Sequence, residues 1–187
     1  MSPMVASLGA QASFGMLPAG AFESIATVTV GSGGAASLDF LDIPSGFSHL
    51  QVRLTVRSTR ATDPSDYVGI RFNNDSTTTY RRHTLAGNGS SATALSDTAT
   101  YGYIHEGATA SGSSTNIFGA DIIDILDYGS TSKNKVVRTL SGWDSNGNGV
   151  VSITSVLWPV TNAISRITLI SNANYAQYST AALYGMR

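Results

Sequence analysis

The stretch of residues 121–158, DIIDILDYGSTSKNKVVRTLSGWDSNGNGVVSITSVLW, leaves the chain few ways to fold. Three apolar, β-branched runs (IIDIL, KVVRTL, VVSITSVLW) are separated by two polar segments rich in Gly, Ser, Asn and Asp. Val, Ile and Thr are stiff at χ1 and pack well on a pleated surface, while Asn146-Gly147 and Asn148-Gly149 are pairs that supply the positive φ angles of tight hairpins. The pattern predicts three consecutive antiparallel strands, a β-meander. Nothing in it is built for chemistry.

The rest of the chain follows the same grammar. Residues 22–30 and 36–43 alternate apolar and small side chains around a GSGG turn at 31–34, which predicts a hairpin. The turn has no Lys-Ser/Thr pair and no helix after it, so it is not a phosphate loop. In residues 49–57, Leu50, Val52, Leu54 and Val56 point one way and Gln51, Arg53, Thr55 and Arg57 the other, as in a strand wet on one face. Residues 67–72 repeat the pattern with Val68, Ile70 and Phe72 inward. Residues 80–85 are expected as a strand with Arg81 and Arg82 outward, an edge guarded by charge. Residues 86–95 and 106–115 are expected as surface loops flanking a short strand at 101–105. Strands at 164–170 and 181–186 close the chain, about ten or eleven in all, with no amphipathic stretch long enough for a helix.

A chain of 187 residues suits one domain. Only 12% of its residues are charged, about half the usual share, and roughly a quarter are Ser or Thr. Its surface is therefore hydroxyl-rich, with few ion pairs. With 11 Lys+Arg against 12 Asp+Glu the net charge is −1, too balanced for the counterion release on which nucleic-acid binding depends. Zero cysteines exclude disulfides, thiolate metal sites and a cysteine nucleophile. No apolar run reaches the roughly 18 residues of a membrane span, and no secretory signal is visible at the N-terminus.

Residues 1–21, MSPMVASLGAQASFGMLPAGA, differ from everything after them. They carry no charge, yet hold Met4, Val5, Leu8, Phe14, Met16 and Leu17 without a helical or strand period. Solvated tails are normally charged and poor in large apolar groups. Against the plainer reading of a frayed, disordered tail, the composition suits an arm that docks on another protein, where each buried Leu or Phe returns on the order of 2 kcal/mol against the cost of ordering.

Each candidate constellation has a plainer competitor. Asp144, Asn146 and Asn148 with Gly149 match the opening of a calcium loop, but its twelfth position is Ser155, and strand follows where that motif needs a helix; a hairpin turn explains the residues better. His49, His83 and His105 have no metal spacing. Asp121, Asp124 and Asp127 would align on a helix but divide between the faces of a strand. Trp143 and Trp158 are candidates for stacking on a ligand such as a sugar, against the alternative of filling a core or a subunit interface. Asn74-Asp75-Ser76 and Asn88-Gly89-Ser90 fit a glycosylation sequon, which carries little weight without a secretory signal. No cofactor motif is present.

Residues 22–187 also resemble a loose group of virion structural proteins of tailed bacteriophages, including phages of cyanobacteria and marine bacteria. The residues that carry this are FESIATVTVGSGG, GIRFNND, IFGADIIDILDY with SGWDSNGNG, VLWPVTNAISRITLI and the closing AQYSTAALYGMR. The resemblance implies an all-β antiparallel sandwich, jelly-roll-like, assembled as a homotrimer and attached to other virion proteins of capsid or tail by an N-terminal segment. The expected protein is thus a non-enzymatic head decoration, cement or fibre component located in the virion, needing no cofactor. The alternative is a receptor-binding or carbohydrate-binding module of a tail fibre, contacting a host surface glycan. Fold-level likeness alone does not fix function.

Overall fold

The computed structural model describes residues 21–77 and 80–187. Among them are twelve strands and no helix: β1 (Phe22–Thr29), β2 (Ala35–Phe40), β3 (His49–Val56), β4 (Ser65–Phe72), β5 (Tyr80–Gly87), β6 (Ala92–Ala99), β7 (Gly102–Thr109), β8 (Gly119–Ile125), β9 (Lys135–Asp144), β10 (Gly149–Trp158), β11 (Ile167–Tyr175) and β12 (Thr180–Met186). The proposed arm, with Met4, Val5, Leu8, Phe14, Met16 and Leu17, lies outside the described residues apart from Ala21.

Every pairing between strands is antiparallel. One sheet has the order β1-β12-β3-β8-β9-β10-β5-β6 and the other β2-β11-β4-β7. Four strands of the first, β1-β12-β3-β8, together with all of the second, have the strand order of a jelly roll, two Greek keys wound into a sandwich. The remaining four come from two hairpins, β5–β6 inserted between β4 and β7 and β9–β10 inserted between β8 and β11. Both extend the same edge of the large sheet, so β1 is one of its edges and β6 the other.

The alternating strands fill the sandwich as their periods require. Leu50, Val52, Leu54 and Val56 of β3 and Val68, Ile70 and Phe72 of β4 are buried, with Ile123, Ile125, Val137, Val156, Leu169 and Leu183. Trp158 sits in this core, its ring 5.4 Å from Phe72 and 6.4 Å from Tyr80, and its Nε1 donates to Asp75 Oδ2 at 2.9 Å. Lys135 is fully buried, and its ammonium donates to the carbonyls of Ser130, Lys133 and Thr161, tying the β8–β9 turn to the loop after β10. The three-strand meander of residues 121–158 forms as expected, in register from Ile122↔Leu140 to Leu140↔Ile153.

Six local expectations are corrected. The two runs flanking GSGG do not pair with each other: β1 pairs with β12 and β2 with β11, so Gly31 and its neighbours carry the chain from one sheet to the other. Arg82 points inward, not outward. It is buried because Asp97 of β6 accepts two of its hydrogen bonds at 2.6 and 2.7 Å and the Tyr103 ring lies 3.7 Å beneath its guanidinium. Residues 86–95 are not a loop, since β5 runs to Gly87 and β6 begins at Ala92; β6, not β5, is therefore the edge. Likewise β7 continues to Thr109, and β11 begins only at Ile167. Gln51, expected in water, is buried, donating to Asp124 and accepting from Arg53.

Candidate functional site

Two surfaces stand out, and both are made by the inserted hairpins. The first is the outer face of the extended sheet. Side chains of a strand alternate between faces, and here one outward row is apolar across five adjacent strands. Ile122 of β8, Leu140 of β9, Ile153 of β10, Leu85 of β5 and Ala94 of β6 face one another in a single cross-strand row. Ile122 is 40% exposed, Leu140 50%, Ile153 59% and Leu85 59%, and Val151 beside them is 61% exposed. Together they open an apolar area on the order of 400 Å², a size at which such patches on soluble proteins are often functional. The next row, Asp124, Arg138, Ser155, His83 and Ser96, borders it with charges of both signs.

The second surface is a polar cleft of about 330 Å³ where the start of β4, strand β7 and the tips of both inserted hairpins meet. Tyr67 and Tyr103 line it, with ring centroids 4.8 Å apart, and Tyr101 stacks on Tyr67 at 5.2 Å. Burial, then Tyr101, pushes the Tyr67 hydroxyl well above its ordinary pKa, so it stays protonated. Trp143 and Asn148 enter from the β9–β10 hairpin, and Asn88 from the β5–β6 turn. At the rim, Arg60 bonds Asp63 at 2.6 Å and lies 3.7 Å from the buried Asp66.

Glu106 reaches the cleft through an irregularity. The pairs Asp66↔Ala108 and Val68↔Ile104 leave β7 two residues longer than β4 between them, a bulge holding His105, Glu106 and Gly107. Glu106 takes a left-handed φ of 48° there, a conformation uncommon outside glycine and associated with functional positions. Burial lowers the pKa of the neighbouring His105, which leaves that ring neutral at pH 7. Trp143 is only 7% exposed, and its indole N–H is buried without a hydrogen-bond partner among the described residues.

Of the residues singled out from sequence, Trp143 thus belongs to the cleft, whereas Trp158 is a core side chain with no face open to a ligand. Asp144, Asn146 and Asn148 form a hairpin turn. Ser145 N–H donates to Asn148 O at 2.7 Å, Asn146 and Gly147 have φ of 54° and 98°, and Asp144 Oδ1 accepts from Asn146 N–H at 2.9 Å. The histidines lie apart: His49 accepts from Asp127 N–H, His83 is on the outer face of β5, and His105 is in the bulge. Among the described residues no three His, Asp or Glu gather in a way that could hold a metal ion, and no helix is long and apolar enough to cross a membrane. Asp121 faces the core and Asp124 the outer face, as a strand requires. Sequence reasoning missed Tyr67, Arg60 and Glu106 as neighbours of Trp143, because the packing of the β9–β10 hairpin against β7, together with the β4–β7 pairing, brings them there. Comparison with protein-family models, with curated proteins and with solved structures finds no match to this chain.

Proposed function

We propose that this chain is a non-enzymatic structural protein of a phage virion, a jelly-roll body that works by assembling with copies of itself and with other virion proteins, as head decoration, cement or fibre. The observation that carries the assembly role is the exposed apolar row Ile122, Leu140, Ile153 and Leu85. A stable interface removes roughly 800 Å² from each partner, with an apolar centre and a polar rim, and this face has that layout. The bordering charges are mixed in sign, so the face suits a second copy of itself better than a strongly charged partner. Closed symmetry satisfies every such face without leaving an open end, and the homotrimer proposed here, in which the face packs against a different surface of the neighbouring copy, is taken from the resemblance to phage virion proteins. The resemblance to phage virion proteins supplies the particle, and the apolar residues of the arm supply the attachment to it.

Multi-angle light scattering tests the first part. The wild type is expected as a trimer at micromolar concentration, and the double substitution Leu140→Glu with Ile153→Glu should yield a folded monomer, because both side chains point away from the core. A wild type that remains a monomer in solution and on the particle refutes the assembly role. Attachment is tested separately. Removing residues 1–21 should leave the β-rich circular dichroism unchanged while abolishing incorporation into particles; normal copy number in the truncated protein would move docking to the body.

A further inference from the structure

We propose that the cleft between β4, the β7 bulge and the tips of the two inserted hairpins is a binding site for a neutral saccharide, of which Trp143, Tyr67, Glu106 and Asn148 are the principal contacts. This is independent of whether the outer sheet face assembles.

The shape comes first. A cleft of about 330 Å³ is at the small end of the range for ligand sites and suits one or two sugar rings better than a peptide or a nucleotide chain. Its makeup is that of a site for a ligand with both an apolar body and many hydroxyls. Aromatic side chains with polar tips provide contact area without losing hydrogen bonding. Carboxylate and amide groups of Asp63, Glu106, Asn88 and Asn148 accept from or donate to hydroxyl groups.

Charge then narrows the class. The cleft sets the single guanidinium of Arg60 against the carboxylates of Asp63, Asp66 and Glu106, and Arg60 is already engaged by two of them. Phosphates, nucleic acids and acidic sugars would meet an excess of negative charge, and the neighbouring His105 is neutral. An uncharged polyol meets no such barrier.

Two further features point to a ligand rather than to a crease in the surface. The buried Trp143 N–H without a partner is a group whose desolvation is uncompensated, a condition native structures rarely keep without a reason. The bulge in β7 places Glu106 in a left-handed conformation at the cleft, and bulges at sheet edges recur where a side chain is re-aimed toward a site. The parts come from four separate stretches of the chain, around residues 60–67, 88, 103–106 and 143–150.

The test uses the full chain, labelled with nitrogen-15. Its two tryptophans give two indole N–H signals, assigned by Trp143→Phe or, should that variant misfold, by through-bond assignment of the wild type. Methyl glycosides of glucose, galactose, mannose and N-acetylglucosamine are titrated separately, with sialic acid as an anionic comparison. At least one glycoside should shift the Trp143 signal saturably and leave the Trp158 signal in place. Glu106→Gln and Asn148→Ala, which keep the remaining spectrum, should each weaken that binding about tenfold. The proposal is overturned if no glycoside moves the Trp143 signal up to about 50 mM, beyond the weak millimolar range expected of a single sugar. It is overturned equally if both variants bind as the wild type does, or if sialic acid binds as well as the neutral sugars.

Discussion

Asp121 illustrates what a single side chain can cost this fold. It faces inward from β8, 2% exposed, with neither carboxyl oxygen paired at hydrogen-bond distance among the described residues, and burial, opposed only in part by the nearby Ser141 hydroxyl, pushes its pKa up to about 8. Below about pH 4 the group is protonated in folded and unfolded chain alike. Between there and pH 8 the unfolded chain releases the proton while the native state retains it, so stability falls as pH rises, by at most about 1.4 kcal/mol per unit. Asp121→Asn should therefore flatten the dependence of the urea midpoint on pH between 5 and 8 and stabilise the protein at the upper end; parallel profiles for the two proteins would show the carboxyl to be ionised when buried. At this scale the sequence was readable where alternation decides, as at Leu50, Val52 and Leu54, and misleading where compensation comes from far away. A lone reading of Tyr-Arg-Arg-His puts Arg82 in water; only Asp97 and Tyr103, on other strands, make its burial tolerable.

At the scale of strands and turns, the β9–β10 hairpin shows local sequence in full control. Asn146 and Gly147 take left-handed φ between flanking strands, the turn whose twist matches theirs. Gly149 needs its missing Cβ for a different reason, since a methyl there would come within 2.5 Å of the Trp143 carbonyl oxygen. Gly147→Ala should cost about 1 kcal/mol through the disfavoured φ, with Trp143 still packed. A loss of several kcal/mol in chemical denaturation would mean that the turn organises more than its own hairpin. Elsewhere the local text was insufficient. β6, ATALSDTA, is open on both faces and made of small residues, so it has no hydrophobic alternation to announce it. The GSGG segment has the composition of a hairpin turn, but the partners that decide its geometry, β12 and β11, lie at the far end of the chain. The cleft was half legible for the same reason: an aromatic beside an Asn-Gly turn can be seen in sequence, whereas a bulge exists only in the register of two strands.

For the molecule as a whole, the jelly roll follows from many short alternating strands without a helix, but the sequence does not say which of them belong to the sandwich and which extend it. The surfaces of the proposed function and of the proposed site both lie on that extension. Both inserted hairpins join the edge opposite β1, so the apolar face and the cleft lie towards one end of the large sheet and β1 lies at the other.

The position of β12 has its own consequence. It lies between β1 and β3, with Phe22 opposite Met186, so a strand about 150 residues after β1 is an interior strand of the large sheet. On the ribosome, β1 must wait for nearly the whole body before it has a partner, and slow, non-local pairing of this kind leaves strand edges open in the meantime. A message cut short before Thr180 would yield a chain with two unpaired edges in place of none at that position, and such a product should appear in the insoluble fraction of a cell lysate. Recovery of that fragment as a soluble, cooperatively melting protein would show that the rest of the sheet closes without its final strand.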